Sequence, residues 1–387
     1  MAFDWQQNWN AEIGLWWKAG PGHTPPVKEA ARVHPIPDAA SRLLVAAQAG
    51  QLHRVDVKAV LTAMREAQKT GEGAFAGVPR WYWEEPYLSD CNAAFFTGMS
   101  LLVVWQVYRD QLDDECRVLL LDIFTELNRW FGRPDGERAF YYPNKYLGDL
   151  VCGWLLGEIL AAETSATQSM LEAAAYWRDQ EWGWGEHLSD IYRRVMLDQL
   201  SVLLFLSERL PVEVRAAYTA LFHELLAIED AYQGGPGVPS FRSYAFLESP
   251  AYRDYRGLIR PLPEDLGAVI AEAQNEAPLG ATLYALGWHE KVPARPAPQA
   301  DIAVPCFGGV TATAHLADDI RLGSISRVPL MPSAEHLLWG MSWMCFPAVY
   351  WRPAGDWGFL QWATHEEGQD HSHPETQLWS YVGQSLT

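Results

Sequence analysis

The chain has 387 residues, of which 49% are hydrophobic, and a net charge of −19. That much apolar material supplies one large core, or a large and a smaller one. A charge this negative excludes nucleic acid, whose phosphates need a basic face, and no apolar run approaches the ~18–20 residues that span a membrane. Nineteen Trp and sixteen Tyr exceed what packing needs. Such rings either wedge helices together or stack on the C–H faces of sugars. Both readings stay open.

The start, Met1 to Asn8, lacks a basic stretch followed by an apolar core, so no signal peptide is expected. Cys91, Cys116, Cys152, Cys306 and Cys345 are scattered without metal or disulfide spacing and read as small buried hydrophobes in a reducing compartment. A soluble, cytoplasmic protein is the expectation.

Residues 1–37 are Trp-rich, then Pro-rich, and read as a wrapping arm. Helical patterns follow at about 38–49, 56–70, 90–110, 113–131, 143–163, 165–180, 189–209 and 212–231. Asp56 before Val57 and Pro211 at a helix opening are ordinary punctuation. Helices apolar almost all round, such as Phe95 to Trp105 and Leu150 to Leu160, alternate with amphipathic ones. A double ring of antiparallel helix pairs requires that alternation.

Four stretches carry candidate chemistry. Trp81-Tyr-Trp-Glu-Glu85 joins rings to carboxylates, either as a sugar platform built on Trp81, Trp83 and Glu84 or as a loop plug. Asn92 opens the next helix as a cap or a site amide. Asn144, beside Pro143 at another helix start, can receive a carboxylate together with backbone N–H groups, or satisfy its own helix end.

The stretch from Glu181 to Tyr192 holds Trp182, Trp184, Glu186 and His187 on a glycine-bent loop. Ser189 sits where an N-cap belongs, with Tyr192 three residues on. The positive end of that helix eases formation of a phenolate, and the competing reading is a capped helix start. After a Gly/Pro turn at 234–239, Arg242, Arg253, Arg256 and Arg260 offer local relief from the negative charge. Pro293 to Pro298 marks a boundary between a helical domain, 1–292, and a β domain, 299–387. Short strands are predicted at 301–304, 308–315, 319–327, 337–351 and 357–364. His371 and His373 alternate along an extended stretch and are predicted to share a face. Such a pair can hold a metal or join a ligand to an acid/base.

Taken together, Asn144, Tyr192 and the His371/His373 pair resemble the heparinase II/III-like polysaccharide lyases. The resemblance covers the layout of about residues 80–387 and implies an α+β fold, an incomplete (α/α) toroid followed by a partial antiparallel β-sandwich. It implies β-elimination on an acidic oligosaccharide or polysaccharide. Asn144 would neutralise the uronate carboxylate, Tyr192 would act as base and acid, and His371 would be its partner. His187 would act as a base or from behind the site, and His373 would hold a structural zinc. Trp81, Trp83, Glu84, Asn92, Trp182, Trp184, Glu186 and Arg256 are the candidate substrate-binding residues.

The sequence departs from the family pattern in three places. Glu375 stands where Asp is usual, the loop reads Trp-Gly-Glu-His-Leu-Ser before Tyr192, and few residues follow the His pair. An incomplete β domain is therefore expected. Two alternatives remain: a glycoside hydrolase using Glu84, Glu85, Asp90, Glu181 or Glu186 as paired acids, and a sugar-binding protein without turnover. The sharpest geometric expectation joins Asn144 to Tyr192. Their helices should be inner neighbours running the same way, ~8–10 Å apart.

Overall fold

The computed structural model describes residues 3–133, 140–162, 166–183, 185–240, 254–272, 279–326, 349–352, 358–360, 364–366 and 369–371. A mostly helical region is followed by a small antiparallel sheet. The N-terminal arm folds back as two short hairpins, β1 (Trp9–Asn10) with β2 (Leu15–Trp16), and β3 (Lys18–Ala19) with β4 (Arg32–Val33).

Two kinds of helix then alternate. α1 (Ile36–Gln48), α3 (Ala93–Tyr108), α5 (Pro143–Leu160) and α7 (Asp190–Leu206) are deeply buried; α3 buries every residue from Ala93 to Val104 except Phe96. α2 (Val57–Ala67), α4 (Asp114–Phe131), α6 (Ala166–Asp179) and α8 (Val212–Ala231) bury one stripe each. The cause is composition, since a helix without a polar face has to be covered all round. Starts are fixed by side-chain caps. Asp56 accepts from Ala59 N at 3.0 Å, Asp113 from Cys116 N at 2.7 Å, and Ser189 from Tyr192 N at 3.4 Å.

Hydrogen bonds between the buried helices give their direction. Ser41 faces Ser100, and Gln111, just past α3, reaches Ala47 O, so α1 and α3 are parallel. Asn92 lies against Tyr142 and the Phe95 carbonyl against Cys152, so α3 and α5 are parallel. Gln199 reaches Asn144 O, and Trp154 reaches Ser207, so α5 and α7 are parallel too. The amphipathic α2 and α4 pair with each other through Lys58–Glu115 and Arg65–Asp122. Four short helices complete the region: α9 (Tyr255–Leu258), α10 (Leu266–Glu272), α11 (Leu279–Ala285) and α12 (Trp288–Lys291). Thr282 of α11 accepts from Gln48 and meets the Tyr108 hydroxyl, covering the C-terminal ends of α1 and α3.

The sheet runs in sequence order as β5 (Asp301–Cys306), β6 (Val310–Leu316), β7 (Ile320–Ile325), β8 (Val349–Trp351) and β9 (Gly358–Leu360), all antiparallel. Alternation puts Val304, Cys306, Val310, Ala312 and Ile325 on Leu188, and Ile302, Ala314, Leu316 and Tyr350 on Tyr232 and Val238. This is the face that docks on the helices. Gly323 permits the closest approach, because a Cβ there would lie 2.4 Å from Pro239 N. Buried Arg321 donates to Tyr232 O at 2.7 Å and Pro236 O at 2.9 Å. A separate hairpin pairs β10 (Thr364–Glu366) with β11 (Gln369–His371). Among the described residues, no helix is long and apolar enough to cross a membrane.

Candidate functional site

The start of α5 leaves backbone N–H groups without intrahelical acceptors, and Pro143 opens the helix without a side-chain cap. The missing acceptor comes from far along the chain. Asn144 N donates to Glu186 Oε2 at 2.9 Å, and its Nδ2 donates to Oε1 at 2.6 Å. Both residues are buried, at 2% and 0% exposure. Asn144 therefore does receive a carboxylate at a helix N-terminus, and that carboxylate is the protein's own.

α5 and α7 run the same way, but they are staggered. Asn144 O lies level with Gln199, at 2.9 Å, which is seven residues, or roughly 10 Å of helix, beyond Tyr192. Glu186 bridges this offset from the loop before α7. Tyr192 is half-buried, with its backbone N–H on Ser189.

The loop that delivers Glu186 is bent by three successive residues of positive φ, Glu181 at 48°, Trp182 at 62° and Gly183 at 68°. Non-glycine residues in that region store of order 1 kcal/mol or more each and need support. Trp182 has that support: it is 1% exposed, stacked 5.7 Å from Trp177, and donates to Glu224 at 2.6 Å.

His187 follows directly and is 1% exposed. Its Nε2 lies 3.0 Å from Pro305 O in the sheet. A carbonyl can only accept, so Nε2 carries the hydrogen and Nδ1 the lone pair. That Nδ1 is buried without a hydrogen-bond partner among the described residues. Burial, aided by the charge of Arg193 and opposed by the Pro305 bond, depresses the imidazole to about 4, so it is neutral near pH 7.

A buried ion network holds this loop from below. Arg193 donates to Glu229 at 2.5 Å, to Asp190 at 3.1 Å and to His187 O at 3.1 Å. Asp190 also accepts from Gly237 N at 2.9 Å, and Glu229 accepts from Tyr255 N at 3.0 Å. Burial pushes Asp190 up to about 6 despite Arg193. Burial acts the same way on Glu229, but there Arg193 and the Tyr255 N–H outweigh it and hold the carboxyl below its ordinary range. α7, α8, α9 and the 233–240 loop are thereby tied together beneath His187. Sequence reading missed this network, although a signal was present. Arg193 falls three residues before Met196 and seven before Leu200, on the apolar face of its helix.

The other predicted site residues are dispersed. Trp81 is 4% exposed, packed edge-on against His23 and Phe96, so its ring is covered by protein. Trp83 is half-buried beneath Arg80, 5.1 Å from its ring. Glu84 binds the His34 ring and backbone N–H. Asn92 occupies the N-cap position of α3 without a side-chain cap, and its amide lies 3.5 Å from the Tyr142 hydroxyl. Arg256 forks onto Asp230 with two bonds of 2.7 Å, so the local positive charge expected of it is neutralised. Trp184, His373, Arg242 and Arg253 lie outside the described residues.

His371 ends β11, in register with Thr364. Among the described residues no group of three or more His, Cys, Asp or Glu is placed to hold a metal ion. Compared with known proteins, the chain matches no family model, no curated relative and no solved structure.

Proposed function

We propose that the chain is a lyase that cleaves uronate-containing glycans by β-elimination, with its site where α5 and the loop before α7 meet. The observation that carries this reading is the Asn144–Glu186 clasp, a carboxylate held by a helix-start N–H and a side-chain amide. A uronate carboxylate arriving beside Glu186 would force the two to share a proton, because adjacent carboxylates cannot both ionise. Sharing that proton, and bonding to the amide, withdraws charge from the sugar's carboxylate. The neighbouring C5–H becomes more acidic, and the bonds strengthen as enolate charge develops. Tyr192 takes the C5 proton and returns one to the leaving glycosidic oxygen, giving a product unsaturated between C4 and C5. His187 acts from behind as a positioning residue, neutral and pinned to the sheet. The resemblance supplies His371 as a second acid/base group.

In this reading the parallel α1, α3, α5 and α7 are inner staves of an incomplete α/α toroid, with α2, α4, α6 and α8 outside them. The β5–β9 sheet is then one layer of an antiparallel sandwich.

A second reading, an acidic-sugar-binding protein without turnover, draws on the fact that Glu186 already takes the Asn144 backbone N–H and one hydrogen of its amide. The hydrolase reading loses support from Glu84 and Glu85, both held by loop and arm groups. The test is a screen of uronate polysaccharides for new ultraviolet absorbance from the unsaturated product. Cleavage without absorbance would point to hydrolysis, and binding without cleavage to the second reading.

A further inference from the structure

A cavity of about 180 Å³ lies between the N-terminal arm, the first turns of α1 and α10. At ~30 Å³ per water it would hold about six waters, roughly the volume of one sugar ring. Its wall includes Gln7, Asn8, Trp17, Lys18 and Arg42. Among the described residues, neither side-chain amide, nor the Trp17 indole N–H, nor either cation makes a hydrogen bond or ion pair, so their polar atoms are open to a ligand. Several polar groups without a protein partner thus line one concave space together with an aromatic ring.

The charges narrow the ligand. Arg42 rests on the buried Trp16, 5.4 Å from the ring, and burial lowers its pKa, with the charge of Asp38 pulling the other way. Lys18 adds a second cation against the single Asp38 carboxylate lining the same space. The cavity is thus net positive in a chain of net charge −19, where positive charge is scarce. Backbone shape at the rim is also unusual, with Asn8 at φ 61°, held by Trp17 N donating to Asn8 O at 2.9 Å. α1 is parallel to α3 and α5, so this rim is at the same end of the helix array as Asn144.

We propose that this cavity binds one acidic pyranose, a sugar ring bearing a single carboxylate. The ring lies on Trp17, the carboxylate meets Arg42 and Lys18, and the hydroxyls meet the Gln7 and Asn8 amides and Asp38. A bare anion would leave the ring and amides unused, and a neutral sugar would leave the cavity's net positive charge uncompensated.

The test is titration calorimetry of the full chain with glucuronate, glucose and acetate. Glucuronate is expected to bind at least about tenfold more tightly than either of the others. Arg42→Gln should remove that preference over glucose, and Trp17→Ala should weaken both sugars by a similar factor. Equal affinity for glucuronate and acetate, or affinities unchanged in both variants, would overturn the site. If Arg42→Gln does not fold, the ligand series on the wild-type chain and Trp17→Ala still decide. The readout is equilibrium binding, so it is separate from elimination at Asn144. Sugar binding that survives Asn144→Ala but is lost in Trp17→Ala supports this cavity, whether or not any glycan is cleaved.

Discussion

Two loops rich in tryptophan and acid precede buried helices, and they behave differently. Before α3, Glu85 accepts from Thr24 at 2.5 Å, Ser89 at 2.6 Å, Trp81 N at 2.8 Å and Tyr82 N at 3.3 Å. The Glu85 carboxylate there is closed on the loop and on the arm, and the result is a plug, in which the buried Trp81 indole N–H has no hydrogen-bond partner among the described residues. Before α7, Glu186 reaches across to another helix, and His187 keeps a buried nitrogen without a partner among the described residues. Buried polar groups are normally satisfied, so an orphan is a reason to look for function. The difference lies in where each acid bonds, on its own loop and arm or across to another helix, and not in composition, which is nearly the same in both loops.

The largest effect expected from this contrast is on turnover. Tyr192→Phe should lower elimination by ~10²–10⁴, the usual range for a lost acid/base group, with an unchanged unfolding midpoint. Glu85→Gln should leave kcat unaltered in the folded fraction. If Glu85→Gln depresses kcat as far as Tyr192→Phe, the distinction between plug and site fails.

Next comes the ion network under the second loop. Arg193→Met strands Asp190 and Glu229, and Glu229 is fully buried. Breaking a buried pair from one side costs ~3–5 kcal/mol, to be read from urea unfolding. A loss below about 1 kcal/mol, the range of a surface pair, would mean water already reaches the network.

Protonation gives a subtler test. His187 is depressed to about 4, so its contribution is present above its ordinary 6.5 and is lost as pH falls to about 4. Asp190 is raised to about 6, so its contribution is present below its ordinary 3.8 and is lost as pH rises through 6. Each shift corresponds to about 3 kcal/mol at full extent, and the two oppose one another over nearly the same window. The wild-type contribution from this pair should therefore be almost level between pH 4 and 6. His187→Gln should make stability fall as pH rises through that window, and Asp190→Asn should make it rise. Parallel pH profiles for the two variants would show that the groups do not titrate as opposed partners.

Much of the helical frame was legible because its causes are local. Asp56 and Ser189 cap helices that begin at the next residue, as their types and positions predict. The expected spans 113–131 and 143–163 became Asp114–Phe131 and Pro143–Leu160. Strands predicted at 308–315 and 319–327 became Val310–Leu316 and Ile320–Ile325, because period-two alternation survives in a sheet with one buried face. The site was less legible because its bonds are not local. Asn144 and Glu186 are 42 positions apart, and Pro305 lies 118 positions from His187. No spacing rule joins such pairs. The arm was read as a wrapping segment, and its hairpins, which carry Trp17 to the cavity, depend on contacts with α1 that a short Trp-rich stretch does not announce.

The smallest effect tests whether the second loop governs the placement of Tyr192. Ser189 and Asp113 are N-caps of comparable kind, on Tyr192 N at 3.4 Å and Cys116 N at 2.7 Å. Replacing either with Ala should cost about 1 kcal/mol, the common value for a lost cap. Their consequences for chemistry should diverge. Asp113 fixes the first turn of amphipathic α4, away from Asn144, so Asp113→Ala should change the unfolding midpoint and leave kcat alone. Ser189 fixes the turn that carries Tyr192, and small displacements of a reacting group are costly to rate. Ser189→Ala should therefore lower kcat beyond any loss of folded protein, and Ser189→Thr, which keeps the oxygen, should restore it. Equal stability losses with no change of kcat in any of the three variants would mean that packing around Tyr192, and not its helix cap, sets the position of the hydroxyl.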